Sequence, residues 1–448
     1  MKSVAILILF AAGAILFAGC KGVPAPGEKQ ARRDFNAVEK QFHPQNRAAV
    51  LPQLTPDSSL SNFVEYALLN SPTVGEAFYD WSASVENITV ERSMPDPQLV
   101  FQAYIEHTLT SLMPGLFQTI PGPGKLKARG HAAAAESQAK YFAFESAVLQ
   151  AAFNLKSAYY KLGELDEQLR IHHEKVSLLE NQEHSVRSQY QTGAATLSEL
   201  LRVQSDYARV SAEHANMEDS LPSALQNFKA ALGLRPAKAD PPIPKHFETS
   251  GENIDAAELR RVGFERNPQL KAMESDVRAA EAGIAVAYKE RVPNFSAGLM
   301  AEVYSPPFYW PQASMSLPIW RDKIAAEIAR AKANELTGKS KLKSAQIDLA
   351  VNFAEQLFAY HETSRNLALI ENDLIPKAKQ TIETVRTGYR TGRMDFSALT
   401  DAEQTLLELQ LEAVETKTDR EIALADLTLM VAGVPPVNAP LLSNNSQP

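Results

Sequence analysis

Cysteine is almost absent from this chain: Cys20 is the only one, so no intramolecular disulfide braces the fold. No apolar run beyond the first twenty residues reaches the length of a membrane-spanning helix, which leaves β-strands as the way for the rest of the chain to cross a bilayer. Positive charge is not in excess. The 45 Lys and Arg residues stand against 53 Asp and Glu, for a net charge of −8, and this balance argues against nucleic acid as a partner. Clustered Cys/His ligands and a local Ser/His/Asp signature are also missing, and Gly122-Pro-Gly124 lacks the spacing of a phosphate loop. Nothing in the sequence asks for catalysis or a cofactor.

What the chain does have is a duplication, its two copies about two hundred residues apart. Tyr190-Gln-Thr-Gly193 returns as Tyr389-Arg-Thr-Gly392. Pro72 is matched by Pro268, Pro97 by Pro293, Thr119-Ile-Pro121 by Ser316-Leu-Pro318, and Leu232-Gly233 by Ala432-Gly433. The copies take up residues 57–234 and 253–433, with a proline-rich linker at 235–252 and tails at 20–56 and 434–448. The repeat also weighs on the histidines. His172, His173 and His184 invite a metal reading, but His172 aligns with Glu371 and His214 with Ala413, so the shared architecture requires no imidazole there.

Each copy reads as helix, two short strands, very long helix, turn and returning helix. In the first, residues 60–92 are helical and Pro95-Asp-Pro97 stops them. Leu99, Phe101, Ala103 and Ile105 then alternate with Gln98, Gln102, Tyr104 and Glu106, and Leu116-Phe-Gln-Thr-Ile120 forms the partner strand after a loop holding Pro114 and Gly115. The second copy repeats the alternation at Phe295–Val303 and from Ala313 to Ile319. Strands with one apolar and one polar face, about ten residues long, suit a barrel with lipid outside and water inside. A chain with four strands cannot close one, since the smallest barrels need about eight. A barrel would therefore be assembled from several chains; the other reading is a pair of half-buried hairpins on a soluble domain.

Residues 125–190 contain no proline and 322–389 only Pro376, so helices on the order of 100 Å follow from a rise of ~1.5 Å per residue. Leu155, Leu162, Leu169, Val176 and Val186 on the outgoing helix, and Leu200, Val203, Val210 and Phe228 on the returning one, lie on a three-and-four spacing that predicts an antiparallel coiled-coil hairpin. Pro222 and Pro376 predict bends. At the N-terminus, Lys2, an apolar run from Val4 to Phe17 and then Ala18-Gly19-Cys20 read as a signal peptide over 1–19. The segment resembles a bacterial lipobox, with Phe17 in place of the usual Leu. That resemblance implies lipid on Cys20, and Lys21 by the usual sorting pattern implies the outer membrane. The residues from Lys21 to Pro56 read as an extended tail.

Duplicated halves, two strands and a helical hairpin in each, a lipobox and the Tyr-x-x-Gly tips together resemble the TolC-type outer-membrane efflux proteins, from about Leu60 to Gly433. The most specific pieces are the two tips and the strand exits Ile120-Pro-Gly-Pro-Gly-Lys125 and Leu317-Pro-Ile-Trp320. The first of these exits resembles members serving heavy-metal efflux. The resemblance implies a mainly α fold with a small β part: a homotrimer whose twelve-stranded transmembrane barrel continues as an α-barrel tunnel in the periplasm. Its implied partners are a periplasmic adaptor, an inner-membrane transporter and outer-membrane lipid, with no cofactor and no enzyme activity. Tyr190, Gly193, Tyr389 and Gly392 become candidates for the tip turn and adaptor docking. Acidic rings close the tunnel in this family, and carrying them over by position makes Glu199, Asp401 and Asp395 gate candidates, while Ala398 departs from the pattern. Rival readings are a secretion duct for polypeptides and a non-channel coiled-coil scaffold lipoprotein.

Overall fold

The computed structural model describes residues 23–40, 42, 52–105, 109–244, 256–302 and 308–431. The signal peptide, Cys20, Glu106, Val303, Tyr304, the later part of the linker, Ala432-Gly433 and the C-terminal tail lie outside the described residues. The chain divides into two compact units, one from within 1–42, 76–144 and 268–345, the other from within 43–75, 145–267 and 346–448.

The first unit holds the sheet. Strands β1 (Gln98–Ile105), β2 (Leu109–Ile120), β3 (Phe295–Glu302) and β4 (Phe308–Met315) are ordered β1-β2-β3-β4, every pair antiparallel, so the central pair takes one strand from each half of the sequence. Alternation gives the sheet two chemical faces. Leu99, Leu116, Leu299 and Pro311 are register partners in an apolar row, and Ile120, Phe295 and Met315 form another, with Leu99 64% and Met315 50% exposed in the single chain. On the other face Thr119, Ser296 and Ser314 line up, and the Thr119 and Ser296 hydroxyls are 3.3 Å apart. Two details differ from the sequence reading. Pro114 and Gly115 belong to β2 and not to a loop, because pairing with β3 begins only at Gly115 and the missing Pro114 N–H breaks no bond on that side. Strand β4 ends at Met315, leaving Leu317 and Ile319 beyond it.

The segment read as an extended tail contains a helix, α1 (Glu28–Glu39). Its Phe35 stacks on Phe78 at 5.4 Å and meets Trp81 at 5.2 Å, while Glu28 pairs with Arg92 at 2.7 Å and Arg32 with Glu86 at 2.9 Å. Helix formation is thus driven by tertiary contacts that composition does not reveal. The expected single helix over 60–92 is two, α2 (Leu60–Asn70) and α3 (Pro72–Arg92). Ser71 between them is extended, as a residue before proline prefers. Trp81 is 1% exposed and also packs on Phe144, at 5.8 Å, on the long helix α4 (Lys125–Gln191).

The second unit holds both hairpin tips and both returning helices, while the outgoing helices begin in the first unit. Helix α4, 67 residues or about 100 Å, is followed by α5 (Leu197–Ala231). Phe63 of α2 packs between Tyr159 and Phe228 in a cluster with Leu155, Leu162 and Leu232. In the second half, α6 (Ala256–Arg266) and α7 (Pro268–Lys289) precede the strands, and α8 (Arg321–Leu369), a π turn at Ile370–Leu374, α9 (Ile375–Arg390) and α10 (Phe396–Met430) follow them. Leu259, Phe353, Tyr360, Leu427 and Met430 form the corresponding core. Pro376 lies just past the π turn, where a widened ladder accommodates a residue that lacks an N–H and crowds the preceding turn. Pro222 does not end its helix: α5 runs through it. Lys229, 3% exposed, donates to the Pro236 and Lys238 carbonyls and pairs with Asp240 at 3.0 Å, which ties the first part of the linker to α5.

Candidate functional site

Both hairpins reverse through the same five-residue device. At the first tip Gly193 adopts φ 77°, its N–H reaches the Tyr190 carbonyl at 3.1 Å, and the Ala194 and Ala195 N–H groups share the Gln189 carbonyl at 2.8 and 3.2 Å. At the second, Gly392 has φ 72°, its N–H reaches Tyr389 at 3.0 Å, and Arg393 and Met394 share the Gly388 carbonyl at 2.8 and 3.3 Å. A left-handed residue is what lets the orphan carbonyls of a helix end find donors within one turn, and glycine adopts it without steric cost. Each tip is seated on an apolar cluster, Val186 with Leu200 and Val203 in one case, Ile382 with Val385 and Leu399 in the other. A polar bond also crosses each hairpin, Gln204 to Glu183 at 2.8 Å and Arg386 to Glu403 at 3.3 Å.

The tips differ in chemistry. Thr196 caps α5, and Glu199 completes a capping box: its carboxylate accepts from the Thr196 N–H at 2.7 Å and the Thr196 hydroxyl at 2.9 Å. Those bonds hold the Glu199 carboxyl below its ordinary value, the backbone bond foremost. The carboxylate is therefore engaged at its own helix start, and the cap by itself accounts for an acid at this position. At the second tip Asp395 stands in the cap position with no side-chain cap bond, and Ala398 replaces the glutamate. Asp395 and Asp401 are both exposed. Tyr190 is 41% and Tyr389 39% exposed, and the Tyr389 ring lies 5.6 Å from Phe396, so these tyrosines present surface instead of filling a core.

Two features escaped the sequence reading. Met394 packs over Gly388, where an added Cβ would lie 2.9 Å from the Met394 Cγ; at the first tip the same pair is Gln189 and Ala195, so a large and a small residue have changed places. The Asn70 amide donates to the Leu232 carbonyl at 2.9 Å, and the Asn267 amide to the Met430 carbonyl at 3.0 Å. The end of the short first helix thus ties down the end of the last helix in each half. The signal was an asparagine immediately ahead of Ser71-Pro72 and of Pro268. Among the described residues no group of three or more His, Cys, Asp or Glu is placed to hold a metal ion; His173 and His214 lie with ring centres 5.9 Å apart.

A four-stranded antiparallel sheet with two open edges, carried on duplicated long helical hairpins, is the subunit architecture of outer-membrane efflux channels. The model of the outer membrane efflux protein family matches residues 63–234 and 264–433, and the chain belongs to that family. The fold is similar to a solved Pseudomonas aeruginosa membrane protein (TM-score 0.71, 18% identity, 84% of this chain and 91% of that one). It is also similar to the CmeC outer membrane channel of Campylobacter jejuni (0.72, 15%, 87% and 90%) and to the open state of the MtrE outer membrane channel of Neisseria gonorrhoeae (0.69, 16%, 86% and 96%). No curated protein matches the sequence.

Proposed function

We propose that this chain is the exit duct of a tripartite efflux system, passing substrates delivered by an inner-membrane transporter through a periplasmic adaptor. The observation that carries the reading is the pair of open edges. Strands β1 and β4 each pair on one side only, and the sheet's apolar rows stand exposed. Unpaired strand edges cannot persist in hydrocarbon, so β4 of one copy must pair with β1 of the next until the ring closes. Three copies give twelve strands, within the size range of outer-membrane barrels. The duct supplies no energy, and its hairpin tips, with Tyr190, Gly193, Tyr389 and Gly392, meet the adaptor. Lipid on Cys20 anchors the chain: the Val23 N–H bonds to the Arg92 carbonyl at 3.3 Å, just ahead of β1, and three residues reach no further than about 10 Å.

Carboxylates repeated around a constriction repel one another and attract cations, which is the gate assigned to Asp395 and Asp401. Glu199, occupied by its cap, is the weakest of the three candidates. Single-channel conductance in planar bilayers tests both parts. Wild-type protein is expected to give stepwise, cation-preferring currents, larger in the Asp395→Asn, Asp401→Asn double variant and little changed in Glu199→Gln. Currents unaltered by the double variant would remove the gate and leave the duct; silence from folded, lipid-inserted protein would remove the duct.

A further inference from the structure

The distribution of charge along the sheet is one-sided. Residues 98–119 and 294–315, which include all four strands up to their last positions, contain no Lys or Arg. All four connections between strands and long helices gather at one end of the sheet, where Ile120, Phe295 and Met315 are in register. Over these connections, residues 89–97, 121–129, 289–293 and 316–323, eight cations stand against four carboxylates, in a chain whose net charge is −8. One of the four, Glu290, is already matched by Lys125 at 3.0 Å and Arg129 at 3.6 Å. Lys127, Arg291, Arg321 and Lys323 are exposed.

Apolar side chains accompany these cations. Beyond the end of β4 at Met315, Leu317, Ile319 and Trp320 are 63%, 65% and 72% exposed in the single chain. Ile319 to Lys323 line an open hollow of 510 Å³. An indole and an aliphatic lip directly beside guanidinium and ammonium groups is the pattern of a membrane–water boundary, where the ring sits among head groups and the cations meet phosphates. Since the helices extend on this side, the boundary is the periplasmic one.

We infer that this belt of cations and apolar side chains at the strand-to-helix junctions seats the anionic phospholipid head groups of the periplasm-facing leaflet. The inference rests on the membrane placement of the sheet. The phosphate-rich outer leaflet is the poorer match, because residues 106–108, between β1 and β2, and 303–307, between β3 and β4, include no Lys or Arg. A seat of this kind fixes the depth of the barrel at one rim and takes the same lipid from every subunit of the ring.

The test uses the full-length chain, delipidated in neutral detergent, with native mass spectrometry after addition of phosphatidylglycerol or phosphatidylcholine. Phosphatidylglycerol is expected to be retained preferentially, and Lys127→Gln, Arg321→Gln and Lys323→Gln, which remove exposed charges, are each expected to weaken that retention roughly five-fold, the equivalent of about 1 kcal/mol per cation at a membrane surface. Equal retention of the two lipids, an unaltered preference in the triple variant, or full displacement by inorganic phosphate would overturn the assignment. A second measurement separates it from the membrane reading itself. In vesicles with brominated lipid, the emission lost on Trp320→Phe should be quenched by bromine near the head group and shielded from aqueous iodide. If a tryptophan placed in the apolar row by Leu299→Trp is quenched by lipid while Trp320 is quenched only by iodide, the barrel stands and the belt falls; if neither is quenched by lipid, the membrane placement fails with it.

Discussion

Replacing Gly233 by alanine should be far more damaging than the same change at either hairpin tip, although all three glycines share a left-handed backbone. Gly233 has φ 70°, against 77° for Gly193 and 72° for Gly392. That conformation costs an L-residue about 1–2 kcal/mol wherever it occurs. At the two tips an added Cβ meets nothing within 4 Å, so the backbone term is the whole penalty. At Gly233 the new Cβ would lie 2.5 Å from the Asn70 carbonyl oxygen and 3.1 Å from the Ser71 Cα, both backbone atoms that cannot rotate away. Overpacking of that kind adds about 1–3 kcal/mol, for a total of about 2–5 kcal/mol. The shift needed to relieve it also disturbs the 2.9 Å bond from Asn70 to the Leu232 carbonyl, so the damage reaches the closure of the first half. Urea unfolding followed by circular dichroism in a fixed detergent would read the midpoints, with limited proteolysis to locate the loosened segment. If Gly233→Ala lowers the midpoint no more than Gly193→Ala, the close approach of the Asn70 backbone does not constrain this turn and the reasoning is wrong.

Asn267→Ala removes a buried amide from the Met430 carbonyl and should cost about 1–3 kcal/mol in the same assay, more than Asn70→Ala at its half-buried counterpart. The His172 imidazole is held below its ordinary value of 6.5 by burial first and then by Lys175 and His214, against the Glu213 carboxylate. The unfolded chain therefore binds the proton before the folded one: stability is complete above that value, declines as the pH falls through it, and should decline less steeply in His172→Leu, as urea midpoints across a pH series would show. Gly388→Ala forces Met394 from its seat, and combining it with Met394→Ala should relieve the crowding, giving a favourable coupling of about 0.5–3 kcal/mol in a double-mutant cycle; additive effects would mean that the two residues do not pack.

Much of the architecture was legible because it is periodic. A three-and-four spacing kept up without proline can only be a long helix, and an apolar–polar alternation of five to ten residues, met twice in each half, is a strand hairpin. Thr196-Leu-Ser-Glu199 carries the letters of a capping box that the sequence reading passed over in favour of a gate, and the cap gives Glu199 a local task independent of any lumen. The misses have physical causes. Helix α1 hid in a polar, proline-containing stretch because its stability comes from Phe35 resting on Phe78 and from the Glu28–Arg92 pair, contacts with residues fifty or so positions away. Pro114 suggested a loop because the cost of a proline in a strand depends on which neighbour its missing N–H would have faced.

The sequence by itself determined that the chain is built twice, where its long helices and its four strands fall to within a few residues, and that four strands are too few to close a barrel. Only the tertiary structure decided that the halves join through β2 and β3, that Asn70 and Asn267 lock the ends of distant helices, and that a large and a small residue trade places between the two tips. Periodicity reports which face of an element is buried, because backbone geometry repeats locally. The partner it is buried against depends on how the chain returns, and no local repeat encodes that.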